Sequence, residues 1–282
     1  MFFRNALKGL LIFVMTVFPY PAFAQLNLDK LPEVDVLKVK NLLEKLAPLI
    51  EERDKKENLA TLRFAELYEP LNEEEKAFLQ SFQDIDAKEA GVKIPYRGLA
   101  TGEEDLAVIK GQIVTKREVN EKKESKATNE TKELPPQFLP KDVYEAYLRL
   151  TEAMNYDISR KVLVESGYRS SAYQLYLFIY YLKNHEYSMR ETVKFVTLPG
   201  YSEHGAPKFQ AIDFINADGI NGEDNPEEFE ALDEYKWLLT NGEKFGFILS
   251  YPKDAAGGIT FEPWHWRYES DKDKSLPKDN PL

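Results

Sequence analysis

The stretch Glu262-Pro263-Trp264-His265-Trp266-Arg267-Tyr268 decides how this 282-residue chain is read. The sequence holds only three histidines; one stands here, and a second follows Ser202-Glu203 as His204, with Asp213 a little further on. Alternation along a strand from Trp264 to Tyr268 turns His265 away from Trp264 and Trp266. His204 lies in a loop between Gly200 and Gly205, a setting that exposes an imidazole. Asp213 sits inside Ala211-Ile212-Asp213-Phe214-Ile215, where a carboxylate is costly unless something positive or donating meets it. Two neutral imidazoles and one carboxylate form a catalytic zinc site: three protein ligands, with a fourth position for water. The structural alternatives are a satisfied core histidine at 265 and a salt bridge or turn cap at Asp213.

Glu262 and His265 are three residues apart and would face opposite ways in a regular strand. Pro263 removes a ladder donor and favours a bend, which lets the Glu262 carboxylate swing toward the metal. There it can accept a proton from water and pass it to a leaving amine. Arg169, in Ser166-Gly167-Tyr168-Arg169-Ser170, follows a β-rich run at 162–164 and precedes a helix. The end of a rigid element suits a guanidinium that binds a carboxylate or an oxyanion bidentately. Gln174, one turn into that helix, reaches the same side.

Working outward, Val39, Leu42, Leu43, Leu46 and Ile50 share one helical face, and Asn72 with Glu75 forms a capping signal before Phe78, Leu79 and Phe82. These place an N-terminal helical segment at 25–104, whose role is packing or contact with a protein partner. The stretch 116–138 is polar and charged and ends in Pro135-Pro136, so it reads as a mobile loop. Helices are expected around Val143–Met154, around Leu175–Leu182, after Ser188 and from Glu227 to Asn241. Strands are expected at 162–164, 211–215, 247–251 and 264–268. Helices followed by locally paired strands imply an α+β domain with a small antiparallel sheet over 105–268, flanked by helices. His185, in Lys183-Asn184-His185-Glu186, reads as a solvated helix end. Residues 269–282 read as a disordered tail.

Arg4 and Lys8, the apolar run Leu10–Phe18 and Ala22-Phe23-Ala24 read as an export signal over 1–24, with the mature chain starting at Gln25. No later stretch is long enough for a transmembrane helix. The formal net charge is −11, and the signal carries two of the positive charges. An acidic surface argues against nucleic acid. The absence of cysteine excludes disulfides, thiolate catalysis and a thiolate zinc site.

Ser166-Gly167-Tyr168-Arg169-Ser170 with Gln174, Tyr201-Ser202-Glu203-His204, Asp213 and the 262–268 stretch, in that order, resemble the VanY-type D-alanyl-D-alanine carboxypeptidases. These belong to the wider zinc peptidase group that includes lysostaphin and the hedgehog domain. The resemblance implies that His204, Asp213 and His265 hold Zn2+, that Glu262 is the general base, and that Arg169 binds substrate and steadies the oxyanion. It associates Gln174 and Ser202 with substrate contact, and Trp264 is grouped with them. The implied substrate is the peptide stem of peptidoglycan, cut between its terminal D-alanines outside the cytoplasm, most simply in a periplasm. Departures stand out: the segment 205–212 is about two residues longer than usual, the segment 259–262 is shorter than usual, and Ser250 replaces an arginine common before Tyr-Pro. The alternatives are an L,D-carboxypeptidase or endopeptidase of the same fold, and a non-catalytic module binding cell wall or protein.

Overall fold

A computed structural model describes residues 26–119, 125–206, 208–255 and 260–270. The expected signal at 1–24, and the tail beyond Ser270, lie outside the described residues. Among those described, no helix is long and apolar enough to cross a membrane.

The N-terminal part is helical: α1 (Glu33–Lys55), α2 (Phe64–Tyr68), α3 (Glu73–Gln83) and α4 (Ala87–Ala90). Asn72 caps α3 as its sequence implies, accepting from the Glu75 amide while the Glu75 side chain accepts from the Asn72 amide. Two strand pairs follow: β1 (Leu106–Ile109) with β4 (Gln137–Pro140), and β2 (Ile113–Val119) with β3 (Ser125–Glu133).

The β2–β3 ribbon corrects the expectation of a mobile loop at 116–138. Its polar composition carries no core signal, yet it is anchored at its base and midway along. Val114 and Leu134 are buried against Leu163 and Ile215. Arg117 pairs with Glu228, Nη2 to Oε1 at 2.8 Å, and Lys116 with Glu130 across the ribbon at 3.0 Å. Pairing with a neighbouring strand satisfies backbone groups that side-chain hydrophobicity does not report.

Beyond the ribbon come α5 (Lys141–Ile158), β5 (Val162–Ser166), α6 (Ser171–Tyr181), α7 (Met189–Thr192), β6 (Ala211–Asn216), α8 (Pro226–Ala231), α9 (Asp233–Asn241), β7 (Phe247–Leu249) and β8 (His265–Tyr268). The helix expected over 227–241 is broken at Leu232, whose extended backbone ends α8 and starts α9. The main sheet is antiparallel, in the order β5-β6-β8-β7. Strand alternation gives its two faces different work. Val162, Val164, Ile212, Phe214, Phe247 and Trp266 bury one face against Val143, Ala146, Leu150 and Met154 of α5 and Trp237 and Leu238 of α9. Asp213 and His265, directly opposed in register, fall on the other face.

Helix α6 is apolar around most of its circumference, and a helix of that kind is covered on several sides. Its Leu175, Phe178 and Ile179 share one core with Val39, Leu42 and Leu46 of α1 and Phe78, Leu79 and Phe82 of α3. The N-terminal helices are therefore joined through a common interior to the segment that follows Arg169. His185 is half-buried and stacks on Phe195, with ring centroids 4.6 Å apart, in place of a solvated end. Truncating the fully buried Phe82 to Ala removes atoms from that shared interior and costs about 3–5 kcal/mol. Urea unfolding followed by both far-ultraviolet circular dichroism and tryptophan fluorescence is expected to show one shared transition, moved to lower denaturant. Two separate transitions, with the tryptophan signal unmoved, would show that the N-terminal helices stand apart.

Candidate metal centre

The register of β6 and β8 supplies two of the donors. Asp213 faces His265 across the pair, and Oδ1 lies 2.8 Å from His265 Nδ1. A bulge in β5 between Val164 and Ser166 sits beside Asp213 and swings the chain into the Gly167–Arg169 loop. The third donor comes from the turn Glu203–Gly205. His204 Nε2 lies 3.1 Å from Asp213 Oδ2, and the donor atoms of all three residues lie within 4.8 Å of one another.

His204 is buried at 5% exposure, against the expectation of an exposed loop imidazole. The cause is close backbone approach: the Arg169 amide donates to the His204 carbonyl at 3.0 Å, and His204 Nδ1 meets the Gly167 carbonyl at 2.8 Å. Gly205 permits it, since a Cβ there would fall 2.6 Å from the Arg169 carbonyl oxygen.

The Gly167 contact makes Nδ1 the protonated nitrogen of a neutral His204 and leaves the Nε2 lone pair facing Asp213. Burial, opposed by Asp213 and reinforced by Arg169, lowers the His204 pKa and keeps the ring neutral. A lone pair and a carboxylate oxygen 3.1 Å apart repel unless a cation stands between them. The residues present therefore fit a metal ion, and two imidazoles with a carboxylate fit zinc.

His265 is oriented from behind. Its Nε2 meets Glu203 Oε2 at 3.1 Å, and Tyr251 stacks on the ring with centroids 4.8 Å apart. A carboxylate behind a ligating histidine fixes its tautomer and ring plane. Sequence reasoning gave Glu203 no role; its signal was adjacency to His204 in Ser202-Glu203-His204. Burial alone would raise the Glu203 carboxyl, but the His265 hydrogen bond and charge bring it down to about 2. Burial opposes charge on His265 too, yet the hydrogen bonds it donates to the Asp213 and Glu203 carboxylates raise it to about 10. Asp213 stays well below the carboxylate range because His204 and His265 outweigh its burial.

Glu262 precedes β8 in a turn closed by the His265 amide donating to the Glu262 carbonyl at 3.2 Å, the bend that Pro263 led one to expect. Its carboxylate makes no hydrogen bond or ion pair among the described residues. Burial raises it to about 7; His265 works against that and Asp213 and Glu203 with it. The partly buried Arg169 guanidinium is likewise unpaired among the described residues, while Asp213 and Glu223 act on it through space. Ser202 is buried beside His204. Gln174 is turned elsewhere: its Nε2 donates to the Thr197 carbonyl at 2.7 Å, which ties α6 to the segment entering the His204 turn. Trp264 packs over Gly222, where an added Cβ would lie 2.3 Å from its ring. Glu165 and Glu223, absent from the sequence reading, sit close enough to Asp213 to feel its charge. Burial first and that charge second raise both, Glu165 to about 7.

These features define an α+β domain with a candidate histidine–aspartate–histidine metal centre, flanked by a carboxylate and a guanidinium without a partner among the described residues. The VanY D-alanyl-D-alanine carboxypeptidase family matches residues 136–271, and the chain belongs to it. The match takes in every residue of the centre and leaves out the N-terminal helices and the β2–β3 ribbon. A D-alanyl-D-alanine carboxypeptidase of Enterococcus faecalis (strain ATCC 700802 / V583) is 42% identical over 80 residues, or 28% of this chain and 26% of that protein. The bifunctional D-Ala-D-Ala dipeptidase and D-Ala-D-Ala carboxypeptidase VanXYC of Enterococcus gallinarum is 32% identical over 140 residues, 46% of this chain and 67% of that protein. The solved LdcB LD-carboxypeptidase overlaps 49% of this chain and 62% of that chain at 27% identity and a TM-score of 0.40. The chain thus spans about a quarter of the first relative's length and two thirds of the second's.

Because His265 holds a proton up to about pH 10 without metal, a metal arriving at Nδ1 must displace it. Zinc affinity is expected to rise roughly tenfold per pH unit between pH 6 and 8, with about one proton released per ion. Calorimetric titration in buffers of different ionisation enthalpy measures both. A pH-independent affinity without proton release would show that His265 is already neutral before metal binds.

Proposed function

We propose that the protein is a zinc-dependent D-alanyl-D-alanine carboxypeptidase, a metallopeptidase that removes the terminal D-alanine from peptidoglycan stem peptides outside the cytoplasm. The observation that carries this reading is the convergence of three metal donors with two uncommitted groups, Glu262 and Arg169, in one buried centre. Family membership supports the substrate class.

His204, Asp213 and His265 would hold the zinc ion, which when bound would supply Lewis acidity toward water and the scissile carbonyl. Glu262 takes the proton of the attacking water, whose oxygen bonds to the carbonyl carbon. The carbon–nitrogen bond then breaks, and Glu262 returns the proton to the departing D-alanine amine. A carboxyl group near pH 7 suits both transfers, because it neither holds nor loses the proton too firmly. Arg169 offers its planar fork to the carboxylate at the end of the stem, or to the oxyanion formed on attack. Ser202, beside the ligand turn, and Trp264, at the edge of β8, contact the peptide. Gln174 serves the substrate through the segment it holds at Thr197.

Glu262→Gln is expected to bind zinc as the parent does and to lose about 10²–10⁴-fold in kcat. The parent's kcat/KM should fall on the acid side with a midpoint no higher than about 7, since the base works ionised and a bound cation only lowers its pKa. Mass-spectrometric digestion of defined tri-, tetra- and pentapeptide stems, with a chelated control, tests the substrate. Chelator-sensitive loss of one alanine from the pentapeptide supports the reading. Cleavage of the tetrapeptide alone moves it to an L,D-carboxypeptidase, and cleavage of cross-linked stems to an endopeptidase. No cleavage with zinc bound leaves a cell-wall-binding module.

A further inference from the structure

Residues 96–101 cross the segment that leads into the His204 turn, and they lie outside the region matched by the family. The Arg97 amide donates to the Gly200 carbonyl at 2.7 Å, and the Tyr96 ring meets Tyr201 with centroids 5.4 Å apart. Gly200, at φ 84°, is where the strap comes closest: a Cβ would fall 2.4 Å from the Tyr96 ring. Beyond it, the Ala100 amide donates to Ser171 Oγ and the Ser171 amide to the Ala100 carbonyl, both at 2.9 Å. The strap is thus pinned on both sides of Arg97.

From this strap the Arg97 guanidinium passes over the Phe209 ring at 4.8 Å and reaches inward. Its Nη2 donates to Glu203 Oε1 at 3.0 Å, with the Glu203 side chain 1% exposed. The other oxygen of the same carboxylate, Oε2, meets His265 Nε2. One buried carboxylate therefore joins an arginine of the N-terminal segment to an imidazole of the metal centre. Held at Oε1 by Arg97 and at Oε2 by His265, the Glu203 carboxylate is fixed through both oxygens, and the Arg97 contact sets the position from which His265 is held.

We propose that Arg97 is a positioning residue of the metal centre: through Glu203 it fixes the tautomer and ring plane of His265, so residues 26–104 set metal affinity and ligand geometry. This rests on the zinc reading above. Residues behind a metal ligand typically change affinity by about 10–100-fold when removed.

The test uses the full chain, Co2+ as a spectroscopic probe and Zn2+ by competition. The parent is expected to bind Co2+ at one site with visible d–d bands; a parent that binds neither ion fails the zinc reading itself. Arg97→Ala is expected to lose 10–100-fold in Co2+ affinity and to shift those bands. Arg97→Lys, which keeps the charge but loses the guanidinium over Phe209, should fall between and guards against misfolding. In a Glu203→Gln background the effect of Arg97→Ala should vanish, because the link is already cut. A folded Arg97→Ala protein with Co2+ affinity within twofold of the parent and unchanged bands overturns the inference. Additive losses in the Arg97→Ala/Glu203→Gln cycle overturn it as well.

Discussion

The centre depends on one cross-strand pair, Asp213 of β6 opposite His265 of β8. Each is followed by a residue that points through the sheet into the apolar core, Phe214 after Asp213 and Trp266 after His265. Sliding the register by one would bury both polar groups and expose the aromatic ones. The hydrophobic drive that orders the far face thereby fixes the donors on the near face. Specificity of geometry here comes from packing that never touches the metal.

Charge is the second constraint. Asp213, Glu203, Glu262, Glu165 and Glu223 crowd one region, and burial opposes ionisation of every one of them. They divide by their partners. Asp213 and Glu203 face imidazoles within hydrogen-bond reach and stay ionised, whereas Glu262 and Glu165 have no cation so placed and rise to about 7. One environment thus yields firm anions to hold a cation and a softer carboxyl able to exchange a proton. Arg169 and Arg97 approach this acidic group from different segments, one unpaired and one committed to Glu203. A metal ion would complete the balance that the two arginines begin.

Much of this was readable in the residues themselves. β-rich and apolar runs marked the strands at 162–164 and 211–215, alternation gave the face of His265, and period 3.6 found α1, α5 and α6. Pro263 announced the turn that places Glu262. What escaped the sequence has a common physical character. The β2–β3 ribbon is held by backbone pairing and a few end contacts, so its composition resembles a loop. The burial of His204 follows from the meeting of two loops distant in sequence, and Glu203 looked like an ordinary acidic residue beside a histidine. Its partner Arg97 belongs to a segment without any motif. Local patterns report what a residue does to its own strand or helix; they are silent on which remote backbone closes over it.

That silence matters most for the N-terminal helices. A boundary drawn where the family match begins, at residue 136, would separate the metal donors from the strap that orients one of them. It would also strip α6 of the interior it shares with α1 and α3, exposing Leu175, Phe178 and Ile179 to water. Since α6 follows directly on Arg169, and its first residues are pinned to Ala60, Leu62 and Ala100 through Ser170 and Ser171, the loop carrying the guanidinium rests on the same support. The family fold supplies the donors, and the segment outside the match supplies two of the surfaces against which they are held. The active centre and the N-terminal helices are one structural unit because the helix that links them has no other way to bury its second side.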